Sequence, residues 1–241
     1  MSKRGAQKQS NRVVRDQLAA ERRRTRTRWI SVIAALVLVV AAVAGWGIYR
    51  SQRPQTYAVP AGVTNVGGQD AGVVVAGTGP VTVEVYLDFL CPACKQFETA
   101  TFTATNQLIT DGKVRVIWHP LGFLDRATNP PGYSTRAAAA SACAADANKI
   151  GLYGMTLFAN QPAEGSAGLT DDQLIDLGGA AGLNAPSFAQ CVRQGKYVGW
   201  VGNVNQQAAK RGVNATPTVF VNGKELPAPT AEALTAAVAA A

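Results

Sequence analysis

The sequence Cys91-Pro92-Ala93-Cys94 constrains the fold more than any other part of the chain, because of the residues on either side of it. Residues 81–90 are rich in β-branched and aromatic side chains, with apolar residues at alternate positions, a pattern that predicts a strand. The residues from Lys95 to about Thr110 are predicted to form a helix, which Asp111-Gly112 ends. The C-x-x-C pair therefore lies where a strand passes into a helix.

This position has chemical consequences for the two sulfurs. Pro92 suits the first helical turn, where its missing N–H is not needed, so Cys91 is at or near the N-cap. First-turn N–H groups and the helix dipole stabilise a thiolate, so we expect the pKa of Cys91 to lie below that of a free thiol. Cys94, one turn further in, should be more buried and have a higher pKa. One sulfur would then exchange with substrate while the other resolves the mixed disulfide.

Four cysteines allow three pairings. Cys91 and Cys94 are close enough to pair with each other, which leaves Cys143 and Cys191 to form a long-range structural disulfide. A zinc site would need two more ligands at matching spacing, and the chain has one His. Haem attachment would need His at position 95, where Lys stands. We predict no metal site, and a purely structural Cys91–Cys94 disulfide is the alternative to redox chemistry.

The basic character of the chain belongs to its N-terminal tail. The formal net charge is +8, to which residues 1–53 contribute +10 and residues 54–241 contribute −2. Globular domains that bind nucleic acid carry positive charge on their folded surface, so we expect no nucleic-acid partner.

A membrane segment follows the tail. Residues 29–49 begin with 20 uncharged residues, enough to cross the hydrocarbon core as a helix. The basic residues of the 1–28 tail place it in the cytoplasm and the rest of the chain outside. The alternative is a secretory signal cleaved near Ala42-Val43-Ala44, which also exports the domain to a compartment where disulfides persist. Residues 50–70 are predicted to be a linker into the domain 71–241, with an edge strand at 73–75.

The C-terminal part of the domain carries a second motif. Thr216-Pro217 stands before a predicted strand at 218–221, and Asn222-Gly223 is a strong hairpin signal. This stretch resembles the cis-proline loop and hairpin of thioredoxin-like proteins. The resemblance implies a cis Pro217 against the redox pair and a Thr216 whose backbone groups pair with a substrate chain.

The chain between Cys94 and Thr216 is longer than a bare thioredoxin core requires. It is predicted to form helices at 134–150, 152–160, 170–182, 186–194 and 196–211. Together with the sequences around Cys91 and Cys191, these helices resemble DsbA-like thiol–disulfide oxidoreductases of the membrane-anchored, actinobacterial type. We therefore predict an α/β protein with a thioredoxin fold and a helical insertion at about 125–211, preceded by one N-terminal transmembrane helix. In some relatives a second disulfide staples the insertion, the role assigned to Cys143 and Cys191.

Two departures from the DsbA pattern concern the direction of electron flow. Well-studied DsbA proteins have a His between the cysteines, and the dipeptide Pro92-Ala93 lacks this stabilising donor, which predicts a less oxidising disulfide. Thr216 is more typical of isomerase and reductase branches, and its hydroxyl is expected to reach a cysteine sulfur.

Three other side chains are candidates for acid–base chemistry. Asp88, three residues before Cys91, is a candidate proton relay for Cys94, or a strand-end cap. Glu84, on the strand before the pair, is a second relay candidate if it is buried beneath the disulfide. His119 ends the next strand and is interpreted as a structural residue, with a proton shuttle or a ligand as the alternative.

The resemblance implies an extracytoplasmic oxidoreductase without a cofactor that forms disulfides in exported proteins carrying cysteine thiols. It also implies reoxidation by a quinone-linked integral-membrane partner, DsbB-like or vitamin K epoxide reductase (VKOR)-like. One alternative is a reductase or isomerase of the same fold, for instance in cytochrome c maturation. Another is an anchored peptide-binding or chaperone domain without catalysis.

Overall fold

A computed structural model of the chain describes residues 29, 36–46, 57–66 and 69–241. The chain divides into two units, Met1–Gln55 and Thr56–Ala241. In the first unit residues 36–46 are helical. The predicted tail and much of the predicted membrane segment lie outside the described residues, and the described part contains no helix with the length and apolar character needed to cross a bilayer.

The described residues of the second unit form a six-stranded sheet with the strand order β1-β2-β4-β3-β5-β6. The central strands β3 and β4 pair in parallel, and the other neighbours pair antiparallel. The strands are β1 Val63–Val66, β2 Gln69–Ala76, β3 Val81–Leu87, β4 Val114–Pro120, β5 Thr218–Val221 and β6 Lys224–Glu225.

The first two strands correct the predicted linker and the predicted edge strand. Residues 63–66 form β1, and β2 begins at Gln69, so the linker does not extend to residue 70. Strand β2 lies between β1 and β4 and is therefore an internal strand. The Gly-rich composition of this stretch indicated a linker, but strand pairing uses backbone groups, which every residue carries.

Strand β3 occupies the centre of the sheet and is buried on both faces. Val83, Val85 and Leu87 project to one face, and Glu84 and Tyr86 to the other, all of them buried. The strand ends at Leu87 rather than at the predicted residue 90, since residues 88–90 turn toward the C-x-x-C pair. The redox pair therefore lies at the carboxyl end of the central strand, where ligands and substrates of α/β sheets commonly bind.

The helices of the second unit are α1 Pro92–Thr110, α2 Tyr133–Ala145, α3 Ile150–Ala159, α4 Asp171–Ala180, α5 Pro186–Arg193, α6 Val198–Lys210 and α7 Ala231–Ala239. In the sequence, helices α2 to α6 come after β4 and before β5, and they form the predicted helical insertion. A short 3₁₀ turn at Asp125–Ala127 precedes them.

Helix α2 is the centre of this insertion. Most of its residues are buried, and α3, α5 and α6 all pack against it. The small side chains at Ala137–Ala140 allow these helices to approach closely. A disulfide between Cys143 and Cys191 joins α2 to α5, with an S–S distance of 2.02 Å. This is the long-range pairing predicted from the sequence.

Candidate active site

Cys91 stands at the junction predicted from the sequence, as the N-cap of helix α1, with Pro92 in the first turn. A tight turn leads into it, in which the Cys91 N–H donates to the Asp88 carbonyl oxygen at 3.0 Å. The Cys91 carbonyl in turn accepts the first helical hydrogen bond, from the Lys95 N–H at 3.2 Å. The backbone thus holds Cys91 where the unpaired N–H groups of the first turn surround its sulfur.

The surroundings of Cys91 stabilise its thiolate. A hydrogen bond from Cys94 lowers the pKa of Cys91 most, and contacts with the Thr216 side chain and with the N–H groups of Cys94 and Ala93 lower it further. Burial opposes them, and the resulting pKa is about 5 against an ordinary 9.0. At neutral pH the reduced protein therefore carries a thiolate at Cys91.

Cys94 has the opposite character. Both cysteines are free thiols, and Cys94 is fully buried, while Cys91 keeps 7% of its surface exposed. Burial raises the pKa of Cys94, and its hydrogen bond to Cys91 raises it further. The backbone N–H of Asp88 donates to Cys94 Sγ at 3.5 Å. The predicted asymmetry is present, although Cys91 is less exposed than expected because the Thr216 loop covers it.

The loop that contains Thr216 and Pro217 lies against the redox pair. The Thr216–Pro217 peptide bond is cis. In its protonated form the thiol of Cys91 donates to the Thr216 carbonyl oxygen at 3.3 Å, although the two residues are 125 positions apart in the chain. Thr216 and Pro217 are half-buried, and Pro92 and Ala93 are exposed. A polypeptide approaching Cys91 therefore meets both the exposed dipeptide and the backbone of Thr216.

Asp88 is a fully buried carboxyl group beneath the pair. Its two oxygens accept hydrogen bonds from the N–H groups of Leu90 and Leu124, each at 2.9 Å. Burial raises the pKa of Asp88 to about 6, and the charge on Cys91 also raises it. A carboxyl with this pKa takes up and releases protons near neutral pH, as a proton relay requires.

Glu84 does not fit the relay hypothesis. The Arg211 guanidinium donates to both of its oxygens, at 2.6 and 3.0 Å, and His119 Nε2 lies 3.1 Å from Oε2. Burial alone would raise the pKa of Glu84, but the hydrogen bonds with His119 and Arg211 hold it below its usual value. A carboxylate stabilised in its charged form is a poor proton acceptor, so we assign Glu84 as the counter-ion of Arg211.

His119 and Tyr86 complete this ionic cluster on the sheet. The two rings stack with their centroids 4.0 Å apart, and Arg211 Nη1 also donates to the Tyr86 hydroxyl at 3.0 Å. His119 is almost fully buried within β4. This placement fits its interpretation as a structural residue.

Gln161 is a contact of the redox loop that the sequence analysis missed. Its side-chain Nε2 donates to the carbonyl oxygens of Phe89 and Cys91, each at 3.0 Å. It follows helix α3 in the insertion and lies 70 positions from Cys91, so no local pattern indicates this contact. Through Gln161 the insertion holds the turn that presents Cys91.

In the part of the chain that the structure describes, no three His, Cys, Asp or Glu side chains lie close enough together to hold a metal ion.

A comparison with protein families matches residues 74–240 to the thioredoxin family. The chain belongs to the thioredoxin family. The matched range contains the C-x-x-C pair, the cis-proline loop and the whole insertion. Within the family, this domain is a thiol–disulfide oxidoreductase of the DsbA type, because its geometry and its structural relatives agree.

Two of those relatives come from Mycobacterium tuberculosis. The reduced form of its disulfide oxidoreductase DsbG is 36% identical and superposes with a TM-score of 0.59, over 68% of this chain and 81% of DsbG. Its DsbA in the reduced form is 34% identical with a TM-score of 0.60, over 70% of this chain and 89% of DsbA. The similarity covers most of each relative.

A third relative is a larger protein. The serine/threonine-protein kinase PknE of Mycobacterium tuberculosis is 32% identical over 160 residues, which are 63% of this chain and 28% of the kinase. This thioredoxin-family chain thus matches just over a quarter of the kinase.

Proposed function

We propose that this protein is an extracytoplasmic oxidase that forms disulfide bonds in exported proteins. The depressed pKa of Cys91, about 5, carries the proposal. A thiolate stabilised in the reduced form makes reduction of the Cys91–Cys94 disulfide favourable, so the oxidised enzyme readily takes electrons from substrate thiols. The missing His between the cysteines is compensated by donors from Cys94, Ala93 and Thr216.

The reaction has two exchange steps. A substrate thiolate attacks Cys91 Sγ of the oxidised pair, the Cys91–Cys94 bond breaks, and Cys94 leaves and takes up a proton. A second substrate thiolate then attacks the substrate sulfur of the mixed disulfide, which releases the Cys91 thiolate. The substrate dithiol has lost two electrons and is oxidised, and the enzyme disulfide has gained them.

Asp88 is the proposed proton donor and acceptor for Cys94. Cys94 needs such a group because burial disfavours its charged form. The backbone N–H of Asp88 contacts Cys94 Sγ. The pKa of the Asp88 carboxyl, about 6, suits proton exchange near neutral pH. It receives the proton when Cys94 attacks and returns the proton when Cys94 leaves.

The proposed location and partner rest on the sequence before the domain. An uncharged segment at 29–49 behind a basic tail favours a single-pass anchor with the domain outside the membrane. Anchoring would raise the effective concentration of the domain near a membrane reoxidant, DsbB-like or VKOR-like, that passes the electrons to a quinone. Labelling of single cysteines introduced before and after this segment in intact cells tests the topology.

Reoxidation of reduced ribonuclease tests the catalysis. We expect the protein to accelerate recovery of ribonuclease activity and the Cys91→Ser variant to lose this acceleration. The matched control is the Cys143→Ser, Cys191→Ser double variant, which lacks the structural disulfide but keeps the redox pair. A Cys91→Ser variant as active as the unaltered protein would favour a peptide-binding role without catalysis.

The reduction potential decides the direction of electron flow. Thr216 favours the alternative of a reductase or isomerase, since it is more typical of those branches. We expect a potential less negative than about −200 mV, in the range of disulfide-forming proteins. A clearly more negative value would reassign the protein as a reductase of the same fold.

A further inference from the structure

A second concave site lies away from the redox loop, between helices α1 and α3. It has a volume of about 290 Å³. Strands β2 and β4 form its floor and the two helices form its walls. The apolar lining includes Val75, Trp118, Phe102, Ile109, Leu152 and Met155. We name this site the Glu98 cleft, after the acidic side chain that lines it.

Glu98 is a half-buried acid with no counter-ion among the residues that the structure describes. Its Oε1 is shielded from solvent and has no hydrogen-bond partner within the described part of the chain. Lys95, one turn earlier on α1, makes no ion pair with it among the described residues. Strands β2 and β4 and helix α3 contribute no titratable side chain to the lining. Burial raises the pKa of Glu98 to about 7. A carboxyl group in this state gains strongly from a cation that enters the cleft.

The rim of the cleft has the character of a protein-binding surface. The side chains of Phe102 and Leu152 are 51% and 57% exposed, although both are large and apolar. The cleft between them is at the small end of the volumes of ligand sites, closer to one long side chain than to a cofactor. A small desolvated hole within an apolar rim is the usual anchor point of a protein partner.

We propose that the Glu98 cleft binds an arginine side chain of a polypeptide partner, with apolar residues on either side of that arginine. The guanidinium would pair with the Glu98 carboxylate and lie near the aromatic rings of Trp118 and Phe102, which attract cations. The apolar neighbours of the arginine would cover Phe102 and Leu152. This site is separate from the cysteines, so the proposal holds whichever way electrons flow at Cys91.

Two peptides test the proposal: acetyl-Ala-Leu-Arg-Leu-Ala-amide, and the same peptide with citrulline, a neutral isostere, in place of arginine. Binding is followed by amide chemical shifts of α1 and α3 at about pH 8 and about pH 5, where Glu98 is charged and neutral respectively. At about pH 8 we expect the arginine peptide to bind about tenfold more tightly than the citrulline peptide. At about pH 5 this preference for arginine should shrink.

Variants separate Glu98 from general charge effects. Glu98→Gln keeps the shape of the side chain and should abolish the preference for arginine, whereas Glu225→Gln, at an exposed acid on β6, should keep it. Equal affinity for the two peptides, no shifts at the cleft, or a preference that survives Glu98→Gln would each overturn the proposal. The pH comparison on the unaltered protein needs no variant and stands even if Glu98→Gln folds poorly.

Discussion

Replacing Cys91 with serine in the reduced protein removes a group that ionises at a much lower pH in the folded state than in the unfolded chain. Its pKa is about 5 in the fold against an ordinary 9.0. A depressed pKa adds stability that is complete above pH 9.0 and is lost as the pH falls through about 5. At pH 7 the unfolded thiol is still protonated, and the gain is about 3 kcal/mol, from about 1.4 kcal/mol per pKa unit.

Guanidinium unfolding of the reduced protein and of the reduced Cys91→Ser variant, at pH 5 and pH 7, measures this gain. We expect the unaltered protein to lose about 2 kcal/mol more than the variant as the pH is lowered from 7 to 5. The raised pKa values of Asp88 and Glu98 act in the opposite direction, because their stabilising effect is lost as the pH rises. Glu98 is present in both proteins and cancels, whereas the charge on Cys91 raises the pKa of Asp88, so the difference contains the ionisation of Cys91 together with its coupling to Asp88. An identical pH dependence in the two proteins would refute a stabilised thiolate.

Three further predictions follow from contacts around the pair. Asp88→Asn should remove an inflection near pH 6 from the rate of disulfide exchange and slow that step by about tenfold or more, as seen in stopped-flow kinetics; an unchanged pH profile would exclude the relay. Gln161→Glu, which cannot donate to the carbonyls of Phe89 and Cys91, should raise the pKa of Cys91 by about one unit, measured by thiolate absorbance; an unshifted titration curve would reduce Gln161 to a packing residue. Replacing both Cys143 and Cys191 with serine should lower the free energy of unfolding by roughly 4 kcal/mol while disulfide exchange at the redox pair persists. A loss below about 1 kcal/mol in denaturant unfolding would contradict a stabilising role for the Cys143–Cys191 disulfide.

The outcomes for individual residues follow a pattern. The N-cap position of Cys91 and the insertion helices were predicted from local signals and are present in the structure. The Cys143–Cys191 disulfide, predicted as the pair left over by the C-x-x-C motif, is present as well. Predictions that depended on what a side chain would face were less successful. Glu84 was a relay candidate on the condition that it lay buried beneath the disulfide. It is buried, but its carboxylate pairs with Arg211, 127 positions later in the chain.

The amino-acid sequence by itself determined the reactive unit, because a strand, a proline in the first turn and two cysteines one turn apart specify their own geometry through backbone hydrogen bonds within a few residues. Tertiary structure alone decided which distant groups surround that unit. Packing of the insertion brings Gln161 to the carbonyl of Cys91. Sheet pairing brings Thr216 to the Cys91 sulfur, a proximity that the family resemblance implied but no local pattern indicated. Such contacts depend on how whole elements fit together, and no spacing along the chain encodes them.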